Sequence, residues 1–164
     1  MMATAREVVT EYFDALGEQD LDRAVATWKP GSLDRLHGFA ELVAPDGIRQ
    51  YFGGIFAAMP DFRLEALSMV AEGDDVAVRW RATATFDGTG RFEGLAPNGR
   101  SVELEGLDLL TVRDGKIVAN EAYTNGMEFV RQVGALPTQG SAQERAMAAA
   151  FNAKTAIGKR LRGR

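Results

Sequence analysis

The sequence predicts a single cone-shaped α+β domain: a strongly curved, mixed or antiparallel sheet wrapped around three N-terminal helices, with a further C-terminal helix. Three observations predict it. Apolar residues recur at helical spacing up to Pro60, they alternate in strand fashion after it, and 164 residues are enough to bury one core without staples. A sheet that curves around helices leaves an apolar cavity on its concave side, and chemistry is expected there.

Ala5, Val8, Val9, Tyr12, Phe13 and Leu16 mark the first helix, which Gly17 can end. Asp20 reads as the N-cap of a second short helix with Leu21, Ala24, Val25 and Trp28 inward, and Pro30-Gly31 breaks it. A third helix follows Pro45-Asp46, carries Ile48, Tyr51, Phe52, Ile55, Phe56 and Met59, and stops at Pro60. Gly53-Gly54 weakens that helix on propensity, so packing must hold it or a close backbone contact occurs there. Phe62–Val70 is the first expected strand. Val76, Val78, Trp80, Ala82 and Ala84 alternate with Arg79, Arg81, Thr83 and Thr85 in the next, the pattern of a sheet with one buried face. The glycine-rich stretch 87–101 offers Phe92 as the anchor of a short strand. Val102–Val112 and Lys116–Thr124 form a hairpin, and Ala142–Leu161 a last helix.

Charge is uneven. The chain carries −4, yet from Thr138 onward six basic residues face one acid, leaving +5 on the tail and −9 on residues 1–137. An acidic body excludes a nucleic-acid-binding core. No apolar run approaches the ~20 residues of a membrane span. The start of the chain shows no basic region followed by an apolar one, so a cytoplasmic protein is expected. With no cysteine there is no disulfide or thiolate chemistry, and a single histidine makes a zinc site improbable, so neither metal nor cofactor is expected. The D-G-T-G at 87–90 lacks the strand–glycine–helix setting of a phosphate loop.

Hairpin register decides which side chains face the cavity, because a slip of one residue inverts every side chain. A two-residue Asp-Gly turn pairs Asp108 with Glu121. A three-residue loop with Gly115 left-handed pairs it with Asn120, and V-R-D-G-K-I suits this second form. In that register Leu104, Gly106, Asp108, Leu110, Val118, Asn120, Ala122 and Thr124 share the cavity face. Leu107, Leu109, Thr111, Ile117, Ala119, Glu121 and Tyr123 share the other. The outer face is itself partly apolar, so a tail helix or a second subunit is expected to cover it, and a homodimer follows. A carboxyl group in an apolar cavity has a raised pKa and can donate a hydrogen bond to a developing oxyanion, which makes Asp108 a candidate. Its alternative role is to cap a bulge at the sheet rim.

Residues 8–28, V-V-T-E-Y-F-D-A-L-G-E-Q-D-L-D-R-A-V-A-T-W, resemble the opening helices of ketosteroid isomerases. F-E-G-L-A-P-N-G-R-S-V at 92–102, V-R-D-G-K-I-V at 112–118 and V-R-Q-V-G-A-L-P at 130–137 are similar to SnoaL-like polyketide cyclases. The resemblance covers about residues 5–137 and implies an NTF2-like fold. It divides the chain into a domain at 1–137 and a basic helical or disordered tail at 138–164. Against the isomerases, Tyr12 falls on the oxyanion-hole tyrosine, Asp108 near the oxyanion-hole aspartic acid and Asp34 near the general base. Against the cyclases, Ala122 falls on the acid/base aspartate, Asp108 on its partner histidine and Asp34 on an asparagine. The cyclase acid/base is thus missing. An epoxide-hydrolase scheme would need a cavity arginine between two aspartates, and Arg79 and Arg81 lie on the opposite phase from Trp80.

Trp28, His37, Phe52, Trp80 and Asn120 complete the candidate substrate-binding set; the tryptophans read as core or cavity wall and His37 as a loop residue. The resemblance implies a cofactor-independent enzyme that abstracts a proton α to a carbonyl of an apolar steroid- or polyketide-like substrate, leading to isomerisation or aldol-type cyclisation. The alternative is a non-catalytic binding domain for a small lipid-like ligand, since this fold hosts both.

Overall fold

The computed structural model describes residues 3–163; Met1, Met2 and Arg164, at the outer ends of the two expected segments, lie outside the described residues. Eleven elements follow one another: α1 (Ala5–Gly17), α2 (Leu21–Ala26), β1 (Trp28–His37), β2 (Ala40–Val43), α3 (Asp46–Ala58), β3 (Arg63–Glu72), β4 (Asp75–Phe86), β5 (Arg100–Arg113), β6 (Lys116–Thr124), α4 (Gly126–Gln132) and α5 (Ala142–Arg162). The six strands form one curved, unclosed sheet in the order β2-β1-β6-β5-β4-β3, with β1 parallel to β6 and the other pairs antiparallel. This is the expected α+β architecture.

Local chemistry sets the helix starts. Thr4 and Glu7 close a capping box on α1, and Asp20 accepts the Arg23 N–H at 3.0 Å to start α2. The glycine pair of α3 is held by packing: a Cβ at Gly53 would meet only the Leu21 side chain at 3.7 Å, and at Gly54 nothing. One core cluster joins α1 and α2 to β4, β5 and β6. A second joins the end of α3 to β4 and α4, and neither contains a residue beyond Val133.

Several expectations need correction. The second helix ends at Ala26, and Trp28 opens a strand instead of closing a helix. Pro30-Gly31 lies within β1, where the pairing with β6 is irregular between Trp28 and Leu33. β1 shows no alternation of burial, so no strand period was visible there. His37 ends this strand and is not a loop residue. Phe62 precedes β3, which runs on to Glu72. Phe92 makes only an isolated bridge to Leu95. The short helix α4, capped by Asn125, was not anticipated.

The hairpin adopts neither expected register. Arg113 pairs with Lys116 across Asp114-Gly115, whose φ angles of 51° and 71° make a two-residue turn with both central residues left-handed. A bulge at Val118 then shifts the register by one residue, so that Asp108 faces Ala122 and Leu110 faces Asn120. Because turn and bulge together displace the strands by an even number, the faces beyond the bulge are those of the three-residue loop. Leu110, Asn120 and Ala122 are buried, whereas Leu107, Leu109 and Tyr123 are exposed. Before the bulge the phase is inverted: Ile117, expected outside, is fully buried.

Candidate functional site

Two carboxylates meet inside the sheet. Asp34 lies on β1 opposite Asn120, and Asp108 lies on β5 opposite Ala122 and Val78. Among the described residues these are the only buried acids, at 0% and 6% exposure. Asn120 joins them. Its side-chain nitrogen donates to Asp34 Oδ1 at 2.9 Å and to Asp108 Oδ2 at 2.8 Å, using both amide hydrogens. The two acceptor oxygens are therefore less than 6 Å apart. Tyr12 donates a long bond of 3.4 Å to Asp34 Oδ2, and Trp80 Nε1 donates at 2.8 Å to Asp108 Oδ1.

Gly106 makes the last bond possible. A Cβ there would stand 2.1 Å from Trp80 Cζ2 and 2.5 Å from Cε2, so the indole lies over the bare backbone of β5 on its way to Asp108. Glycine in a strand interior is the signal the sequence offers for this contact, with Gly106 on the cavity face of β5.

The carboxylates open onto a cavity of about 130 Å³ walled almost wholly by apolar side chains, among them Phe13, Leu16, Phe62, Leu104 and Phe129. Tyr12, Asp34, Asp108, His37, Phe52 and Trp80 line it, as does Ala122. Trp28 and Asn120 are buried but do not line it. Asn120 bridges the two carboxylates, and Trp28 packs edge-on against Tyr12 with ring centroids 5.6 Å apart. The Trp28 indole N–H and the Asn120 carbonyl oxygen have no hydrogen-bond partner. Tyr51, read from the sequence only as an inward helix residue, also contributes to the wall. Arg79 and Arg81 bond Glu105 on the far side of the sheet.

His37 borders the cavity, but its partly exposed ring lies on the outer sheet face, stacked on Tyr123 at 4.3 Å with Nε2 2.5 Å from Glu121 Oε2. Bonds from His37 and Arg35 hold the Glu121 carboxyl below its ordinary range. No group of three His, Cys, Asp or Glu side chains placed to hold a metal occurs among the described residues.

Burial governs the electrostatics. Loss of water, then the neighbouring Asp108 charge, pushes Asp34 up to about 7 against the pull of Asn120 and Tyr12. Loss of water raises Asp108 to about 6, opposed by the bonds from Trp80 and Asn120. Asp108 therefore ionises first, and its charge helps Asp34 to keep its proton. Asp108 accepts two short N–H bonds whereas Asp34 accepts one short and one long, so the negative charge settles on Asp108. Burial, then the charges of Asp34 and Asp108, raises Tyr12 well above its ordinary value and keeps its O–H. A base, a proton-holding acid and a phenol donor therefore share one apolar wall.

Comparison with known proteins supplies a context. The sequence profile described as SnoaL-like polyketide cyclase matches residues 6–133. The structure resembles AclR from Streptomyces galilaeus, a hydroxylase candidate, with 29% identity and a TM-score of 0.71, covering 84% of this chain and 100% of AclR. A candidate SnoaL-like polyketide cyclase from Jannaschia sp. CCS1 is 24% identical with a TM-score of 0.71, over 81% of this chain and 93% of that one. IdmH, a polyketide cyclase candidate from Streptomyces antibioticus, is 24% identical with a TM-score of 0.68, over 80% and 99%. No curated protein sequence matches this chain. Helix α5 lies outside the residues that the profile matches.

Proposed function

This chain belongs to the SnoaL-like polyketide cyclase family, and from that premise we propose that it is a cofactor-independent acid/base enzyme acting on an apolar, ring-containing carbonyl compound of steroid or polyketide type. The observation that carries this reading is the pair of buried carboxylates bridged by Asn120 at the wall of an apolar cavity. Asp108 is the base that takes a proton from the carbon α to the carbonyl. Each of its oxygens accepts one N–H bond and keeps a lone pair for the task. Protonated Asp34 and the Tyr12 hydroxyl donate to the enolate oxygen, where charge develops in a site that water does not screen. The roles of the two aspartates are thereby the reverse of those the isomerase resemblance implies.

Asp108 can serve where a cyclase keeps an aspartate at the position of Ala122, because the two face each other across β5 and β6. The enolate then reprotonates at a second carbon, or attacks a second carbonyl of the same molecule and closes a ring. At about 130 Å³ the cavity is smaller than the ~300–1,000 Å³ of typical small-molecule sites, which favours a compact substrate over an extended chain. We also assign the outer sheet face, with Leu107, Leu109 and Tyr123 about half exposed, to contact with a second copy, giving a homodimer.

The test is exchange of α-protons for deuterium, followed by NMR on a panel of apolar cyclic ketones and β-dicarbonyls, with Asp108→Asn and Asp34→Asn made separately. Asp108→Asn is expected to lower the rate at least a hundredfold, while Asp34→Asn leaves residual exchange through Tyr12. Equal rates for wild type and both variants would sink the scheme, and ligand binding without any exchange would assign the cavity to storage. The likeness to AclR favours one second reading, addition of dioxygen to the same carbanion with protonation to a hydroperoxide. A product heavier by two oxygen atoms would select it.

A further inference from the structure

α5 spans 21 residues, and none of them is buried. Its first turn is tied to the body: Arg131 of α4 pairs with Glu144 at 2.7 Å, Gly140 donates to Glu144 at 2.6 Å, and Arg145 donates back to the Gly140 carbonyl at 2.7 Å. Beyond that turn it is an arm. At 100° per residue Met147, Phe151, Ile157 and Leu161 fall within about a third of its circumference, forming one stripe. Their exposures run from 49% to 71%. The body presents an unpartnered apolar face of its own. Leu107 and Tyr123 are paired across β5 and β6, Leu109 is two residues along, and His37 stacks on Tyr123.

We propose that the α5 arm of one copy lies across the outer sheet face of a second copy, in a reciprocal exchange that makes the homodimer. It builds on the homodimer assigned above and is independent of the chemistry in the cavity. Charge selects the occupant. The tail carries +5 and residues 1–137 carry −9, so two arms repel each other while an arm and a foreign body attract. Lys154, inside the stripe, can run its alkyl stem over Leu107 and Leu109 and bring its ammonium to the margin of the patch, where Glu105 already pairs with Arg79 and Arg81 and Glu121 with Arg35 and His37. An anionic membrane suits the arm equally well but is repelled by the acidic body to which the arm is fixed.

The area is sufficient. An arm of 21 residues is about 31 Å long and about 10 Å across, so it covers about 300 Å² on each surface. Two reciprocal arms bury about 1,200 Å² in total, the lower end of the range for stable interfaces. The symmetry is closed, so the exchange stops at two copies.

Light scattering on the full-length chain is expected to give twice the mass of one chain. Phe151→Glu with Ile157→Glu should halve it without changing the circular dichroism of the body, whereas Asn152→Glu, on the opposite side of α5, should keep the dimer. A monomeric wild type overturns both the homodimer and the arm. A dimer that survives the double variant overturns the arm alone. The absence of cysteine permits a second readout, a nitroxide placed on Phe151→Cys and mixed with isotope-labelled unmodified chain. Broadening of the Leu107, Leu109 and Tyr123 amide signals is expected, and a mixed dimer without it overturns the placement. Binding of a monomeric full-length chain to phosphatidylserine vesicles, lost in the double variant, would assign the stripe to a membrane and overturn the proposal.

Discussion

Asp34→Asn is expected to make the protein more stable at pH 8. Burial and the adjacent Asp108 charge lift the folded-state pKa of Asp34 from 3.8 to about 7. The native state therefore holds this proton more tightly than the unfolded chain does. The resulting stabilisation is complete below pH 3.8 and is lost as pH rises through 7. At 1.36 kcal/mol per tenfold step, the loss is about 2 kcal/mol at pH 5 and about 4 kcal/mol at pH 8. Asparagine never ionises and escapes it. Its carbonyl can still accept from Asn120 and its amide can donate to the Tyr12 oxygen, while the Tyr12 O–H loses its long bond to Asp34 Oδ2, which offsets about 1–3 kcal/mol of the gain. Against a typical total of ~5–15 kcal/mol, even half of that gain is visible. Urea unfolding of wild type and variant at pH 5 and pH 8 measures it. The difference should grow with pH and level off above 7. A variant no more stable than wild type at pH 8, or a gain independent of pH, would refute the claim that ionising a desolvated Asp34 weakens the fold.

Two further predictions concern the groups around the pair. Gly106→Ala places a Cβ 2.1 Å from the Trp80 ring, so the indole must move and release Asp108. A loss of about 1–3 kcal/mol with a changed tryptophan emission is expected, and an unaltered melting curve with unaltered emission would contradict the packing described. Asn120→Leu removes the donor shared by both carboxylates, so both titrate at higher pH, and the acidic limb of the rate profile moves upward. A profile that keeps its limbs while only the overall rate falls would show that Asn120 holds the strands in place but does not tune the pair.

Legibility of the fold in the sequence followed the strength of the periodic signal. α1, α3, β4, β5 and β6 have clear periods and sharp stops, and each occurs close to its expected place. β1 has neither. Its burial pattern is irregular and it contains Pro30 and Gly31, so it read as a break although it carries Asp34. The missing strand matters most for function, because a residue drifting in a loop and a residue locked opposite Asn120 have different chemistry. The hairpin was legible only in phase. Turn chemistry pointed to a glycine-dependent loop, but the bulge at Val118 shifts the register by one residue beyond the turn, and no local motif reports it.

The sequence by itself determined the α+β class, because amphipathic period is a property of the chain alone; its motifs showed the family, and the family resemblance supplied Asp34 as the partner of Asp108. Tertiary structure decided what those residues are to each other. Parallel pairing of β1 with β6 sets Asp34 beside Asn120, antiparallel pairing of β5 with β4 brings Trp80 over Gly106 to Asp108, and exclusion of water raises both carboxyls together. Contacts between residues up to 86 positions apart depend on register and curvature, and only the packing of the sheet on the helices specifies those.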